Sequence, residues 1–211
     1  MKRETQRGSA IVNVIKSEDV VQIGKEALEI GIDAALDSGV LKEIPIVSTL
    51  VSVLNVSGNI RDQMLASKVI SFLDRLSELT KEERDTMVDK LNEDGKFAGR
   101  VGDAIIEILD RLESERKPGI AARCFAAYAM GQIDYIQLRR LLVAIERLPS
   151  FDIASVRAFA GLTIKERTTV DQHLLISIVN AGLGQNNGGW DGGVIVPTRL
   201  CDLFLQLDLD S

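Results

Sequence analysis

Histidine is nearly missing from this sequence: its 211 residues hold one, His173, beside two cysteines, one tryptophan and four prolines. Each scarcity excludes some chemistry. Acid–base and nucleophilic catalysis near neutral pH draw on histidine, thiolates or paired carboxylates gathered in a pocket. His173 follows Asp171 by two residues at the start of an expected helix, a spacing that does not share a helix face. A structural histidine is the simpler reading, and no catalytic residue is assigned. Cys124 and Cys201 lie far apart in the chain, outside any CxxC, so neither a disulfide framework nor a zinc site of ordinary ligand spacing is expected. They read as small buried thiols of a protein in the reducing cytoplasm.

Other absences narrow the field further. There is no G-x-x-x-x-G-K-[ST] motif, and GLGQNNGGWDGG (182–193) neither follows a strand nor opens a helix as a dinucleotide-binding loop would. A calcium loop centred on Gly131 fails because Ala126 and Met130 would stand where oxygen ligands belong, and Gln137 would replace the bidentate glutamate. No metal or cofactor is implied. Positive charge is also short: 25 Lys and Arg against 31 Asp and Glu give a net charge of −6. That argues against general nucleic-acid binding, which needs a basic face. Aromatics are only 4% of the chain, so the core has to be aliphatic. The opening MKRETQRGSAIVNVIK has no apolar run of secretory length and reads as a flexible tail over residues 1–16.

What the chain has in quantity is amphipathic helix. Ser17 with Glu18 and Asp19 opens one, and Val20, Ile23, Ala27, Ile30 and Ala34 keep its period to about Leu36. The stretch Ile44–Leu73 is the one around which the rest is expected to gather. It carries no charge from Ile44 to Ile60, starts a helix at Pro45, and is apolar around most of its circumference through Ile46, Val47, Leu50, Val51 and Leu54. From Ile60 it turns one-sided. Thr80 and Glu83 form a T-x-x-E capping box. Further helices follow over 97–112, from Pro118 to Gly131, and from Asp134 to Leu148 with Tyr135, Leu138, Leu141, Leu142, Ile145 and Leu148 inward. The charged runs KEERD (81–85) and ESERK (113–117) read as solvated faces.

The last fifth changes character. A helix over 171–182 leads into the glycine-rich loop, Val194–Val196 has strand propensity, and Thr198 caps a closing helix. The expected fold is all-α, a multi-helix bundle of roughly eight helices around a central apolar helix. A small β-wing or winged-helix-like appendage closes it. The expected divisions are the tail (1–16), a bundle domain (17–165) and the C-terminal segment (166–211).

Three segments, IPIVSTLVSVLNVSGNIRDQMLASKVISFLDRL, GQIDYIQLRRL and VPTRLCDLFLQL, together resemble a set of uncharacterised bacterial all-α proteins with an apolar helix and a closing wing. The resemblance spans about residues 17–207, contains no catalytic motif, and implies a role in phage defence or another bacterial conflict. Winged-helix proteins commonly close on aromatic-x-Leu-Thr-x-x-Gly, whereas here Pro197 stands at the usual Leu and Cys201 at the usual Gly. That departure weakens a DNA-reading wing.

Three function classes follow. The first is a non-enzymatic helical interaction or regulatory module that binds a protein partner or itself. Trp190, which interfaces favour, is a candidate contact together with Arg199, Ile46, Leu50 and Leu54. The second is a conditional membrane-active, pore-forming effector using residues 26–60, although that apolar run is short of the ~20 residues a span needs. The third is a DNA-binding regulator acting through the C-terminal wing, with Arg199 and the 184–193 loop on the duplex.

Overall fold

The computed structural model of the chain describes residues 4–30, 34, 38–54, 60–93, 97–188 and 192–210. Among them are twelve α-helices and one two-stranded antiparallel sheet, the expected all-α bundle with a small C-terminal β element. The chain divides into two compact units, 1–132 and 133–211. The division therefore falls well before the boundary expected at 165/166. The helix-stop at Gly131 and the helix-start at Asp134 mark it.

The N-terminal unit begins with α1 (Gln6–Lys16), where a flexible tail was expected. Thr5 caps it by accepting the Gly8 N–H at 3.2 Å, and Ala10, Ile11, Val14 and Ile15 are buried. An eleven-residue helix is marginal alone and takes its stability from tertiary packing. Here the packing is a close crossing with α6 (Val101–Arg111). A Cβ on Gly102 would drive into the carbonyl of Gly8. Around the crossing, the Glu4 carboxylate accepts the N–H groups of Gly102 (2.5 Å) and Asp103 (3.3 Å), and Asp103 accepts the backbone N–H and the hydroxyl of Thr5. The orphan donors at the start of α6 are thus met from the far end of the unit.

After α2 (Val20–Ile30) and a 3-10 turn (Val40–Glu43), the long apolar stretch forms α3 (Pro45–Leu54) and α4 (Ile60–Leu76). Its second half supplies the centre: α4 packs on α2, α3, α6 and, most extensively, α7 (Arg116–Ala129). Phe72 of α4 meets Phe125 of α7 edge-on at 5.5 Å, and Phe97 approaches the same ring at 6.3 Å. The first half is not buried all round. Val47, Leu50, Val51 and Leu54 face inward, but Thr49 and Ser52 are exposed, and the Ser52 hydroxyl donates back to the Ser48 carbonyl.

Two of the charged runs hide a cation. In α5 (Lys81–Glu93), which the Thr80–Glu83 capping box starts as expected, Arg84 is only 1% exposed. It donates to the carbonyls of Ile15 (2.7 Å), Leu79 (2.5 Å) and Ser17 (2.8 Å), closing the C-terminal end of α1. Burial pushes its pKa down from the usual arginine value, with Glu18, Asp85 and Glu82 opposing. In α7, Lys117 is enclosed and ion-paired with Glu113. Neither run is simply solvated.

The C-terminal unit opens with α8 (Tyr135–Arg147), started by a reciprocal Asp134–Gln137 capping box with both bonds at 2.8 Å. Leu138, Leu141, Leu142, Ile145 and Leu148 face inward, whereas Tyr135 is half-buried. A 3-10 turn (Ser150–Asp152), α9 (Ser155–Gly161), α10 (Ile164–Arg167) and α11 (Gln172–Asn180) follow. Gly182 (φ 76°) ends α11, its N–H bonding to Val179 and that of Leu183 to Ile178. The chain then turns into β1 (Gly184–Asn186), which pairs antiparallel with β2 (Ile195–Pro197) in the register Gln185 opposite Val196. Thr198 caps α12 (Arg199–Gln206), as expected, by accepting the Cys201 N–H. Arg157 of α9 clasps the segment after α12, making a two-pronged bond to Asp210 (2.6 and 2.7 Å) and one to Asp208 (2.9 Å).

Candidate functional site

Among the described residues no group of His, Cys, Asp and Glu could hold a metal ion. The titratable groups once weighed for chemistry are occupied structurally. Asp171 accepts the N–H groups of His173 (2.9 Å) and Leu174 (3.1 Å), so it is the N-cap of α11 rather than a partner for the imidazole, which is exposed. Both thiols are free and buried, as expected. Burial pushes the Cys124 thiol far up and the Cys201 thiol up to about 11, the latter with help from Asp202 and Asp210. Neither is a nucleophile near neutral pH.

The site the fold does build is an open cleft of about 870 Å³ within the C-terminal unit. One wall is the outward face of α8, with Ile136, Arg139, Arg140, Val143 and Arg147. The other is made by the end of α11 (Val179, Asn180), Gln185 of β1, and the start of α12 (Thr198, Arg199, Leu200). Helix geometry explains the first wall. With Leu138, Leu141, Leu142 and Ile145 committed inward, residues 136, 139/140, 143 and 147 share the opposite stripe. The second wall is held by Thr198, whose N–H bonds to the Leu183 carbonyl (3.0 Å) and whose hydroxyl donates to the Gly182 carbonyl (2.8 Å). That pair fixes the start of α12 against the end of α11.

The cleft is cationic in an acidic unit. Residues 133–211 contain seven Lys and Arg against nine Asp and Glu, yet four of the seven, Arg139, Arg140, Arg147 and Arg199, line this one cleft and no carboxylate does. Among the described residues none of the four makes an ion pair, while Arg157 of the same unit makes two. Arg139 lies over the Tyr135 ring at 5.9 Å from its centre. Between the guanidinium groups stand apolar side chains left in water: Ile136 is 60% exposed, Val143 41% and Val179 39%. Ile176, one turn before Val179 on α11, is 57% exposed. Unpaired cations and exposed aliphatic side chains thus share one concave surface, which makes the cleft the candidate site.

Of the residues singled out from the sequence, Arg199 lies in this cleft, and it is exposed. Leu50 and Leu54 do not offer an interaction surface: both are fully buried in α3, because Thr49 and Ser52 take the outward positions. Trp190 and the Ile46 side chain lie outside the described residues. Residues 26–60, assigned to a membrane-active hairpin, lie partly outside them; α3 within that span has ten residues, and among the described residues no helix is long and apolar enough to cross a membrane. The DNA-reading wing placed its contacts at Arg199 and the hairpin, but α11 just before the hairpin exposes Gln172, His173, Ile176, Val179 and Asn180, with no Lys or Arg. Sequence reasoning missed Arg139, Arg140 and Arg147. Their signal was the second period on α8, Ile136 to Val143 and Arg140 to Arg147, each pair seven residues apart.

No protein-family model matches the chain, and no curated protein or solved structure matches it.

Proposed function

We propose that the protein is a non-catalytic helical interaction module that takes a protein partner in the arginine-lined cleft of its C-terminal unit. The observation that carries this reading is the alternation of four arginines, without an ion pair among the described residues, with the exposed Ile136, Val143 and Val179 on one concave surface. A mixed basic and apolar surface suits a protein segment that is both acidic and apolar. Its apolar atoms gain by leaving water, at about 25 cal/mol per Å², and its carboxylates meet guanidinium groups in the two-pronged geometry arginine favours. A nucleic-acid backbone would answer the charge and leave the aliphatic side chains wet. An adaptor in a bacterial conflict system, the role implied by the resemblance of the apolar helix and closing segment, is one setting for such a module.

The test is a paired capture from the native host's lysate with the wild-type chain and the Arg140→Glu/Arg147→Glu variant, read by mass spectrometry. Proteins held by the first and lost by the second are expected. Identical profiles from the two baits defeat the proposal, because the cleft would then contribute nothing to association.

A further inference from the structure

Building on the reading of the cleft as a protein-docking face, we infer that its occupant is an acidic amphipathic α-helix of a partner protein, laid along α8. The outward residues of α8 alternate by helix turn: Ile136, then Arg139 and Arg140, then Val143, then Arg147. Ile136 and Val143 are seven residues apart, and so are Arg140 and Arg147. Apolar and cationic positions therefore each recur every two turns, the repeat by which one helix reads another. A helix with apolar residues at that repeat seats them on Ile136 and Val143. Its flanking Glu or Asp residues then fall opposite Arg140 and Arg147. The far wall continues the alternation with Val179, Arg199 and Leu200. Charge complementarity and repeat converge on the same occupant.

The experiment uses the full chain and a labelled heptad-repeat peptide with Leu at the two seam positions and Glu at the flanking ones, read by fluorescence anisotropy. Controls are the same peptide with Lys for Glu, a scramble of the acidic peptide, and a short duplex DNA. The acidic heptad peptide binds; the Lys peptide does not, and the scramble binds at least about tenfold more weakly. Arg140→Glu/Arg147→Glu loses the acidic peptide by at least about tenfold and gains the Lys peptide, with an unchanged circular dichroism spectrum. Should that reversal unfold the unit, Arg140→Gln/Arg147→Gln decides through loss of the acidic peptide alone. Failure of the acidic peptide to bind, equal binding of the scramble, or tighter binding of duplex DNA overturns the inference. So does concentration-dependent dimerisation in sedimentation that the reversal abolishes, since the occupant is then a second copy. If lysate capture depends on the cleft while the acidic peptide fails, only this inference falls; capture indifferent to the reversal removes the docking face itself.

Discussion

In the N-terminal unit Arg84 gives its guanidinium to three main-chain carbonyls and Lys117 is wholly enclosed, whereas in the C-terminal unit Arg139, Arg140, Arg147 and Arg199 face a cleft lined by no carboxylate. The same kinds of side chain do opposite work. Inside the first unit Arg84 satisfies the carbonyls of Ile15, Leu79 and Ser17, so removing it leaves main-chain acceptors unmet. Along the cleft the cations make no ion pair among the described residues, and the fold gains little from their charge. Charge fixed inward belongs to stability, and charge left outward is free for association.

The comparison breaks most readily at the α1–α6 crossing. Gly102→Val places a branched side chain where Gly8's backbone lies, and about 3 kcal/mol or more of stability should go. Urea unfolding of the variant measures it, and a midpoint equal to wild type would mean the crossing is not close. Next comes Arg84→Met, which keeps the volume but abandons the Ile15, Leu79 and Ser17 carbonyls. A loss of about 2–3 kcal/mol is expected, while Arg147→Met, in the cleft, should leave the midpoint within the error of the measurement. Equal losses in the two would erase the distinction between inward and outward cations.

A smaller effect sharpens the contrast within the C-terminal unit, where Arg157, unlike the cleft arginines, is paired with Asp208 and Asp210. Each unit has its own buried thiol, Cys124 or Cys201. With the Cys201 thiol pushed up to about 11 by burial, alkylation at pH 8 waits for α12 to open. Arg157→Ala removes its bonds to Asp208 and Asp210 and loosens the segment after α12, so Cys201 should be trapped several-fold faster while Cys124 is unchanged. Acceleration at both thiols would show that the clasp acts on more than its own unit.

The smallest effect concerns pH. The Thr163 N–H and hydroxyl hold the Glu166 carboxyl below its usual range. A depressed folded pKa means stabilisation that is present above the unfolded value of 4.5 and is lost as pH falls below it. Glu166→Gln keeps the capping box but not its charge, so its melting temperature should lie slightly below wild type at neutral pH, with the gap closing as the pH falls below 4.5. Parallel acid limbs for the two proteins would remove Glu166 from the acid response.

Much of the fold was legible because its rules are local. The Thr80–Glu83 box, the Asp134 and Thr198 caps, the Gly131 stop and Pro45 at a first helical position all act within a few residues of one another. The misreadings share the opposite property. Thr5 looked like part of a tail because the carboxylate it binds is 98 residues away, at Asp103. Arg84 looked solvated because the Ile15 carbonyl it closes is 69 residues away, and nothing in KEERD marks one cation as different from its neighbours. The cleft lies between these cases. Its α8 wall was written in the repeat of Ile136, Arg140, Val143 and Arg147, but bringing Arg199 and Val179 opposite that wall needs the turn at Gly182 and the bonds Thr198 makes across it.

The contact between Thr5 and Asp103 also sets a timetable for synthesis. A chain lengthens at ~5–20 residues per second, so the start of α1 exists for roughly 5–20 s before the residues that grip it have been made. During that interval Ile11, Val14 and Ile15 have no α6 to cover them. Helix α1 is thus one that must wait, held by a nascent chain that has yet to produce its partner.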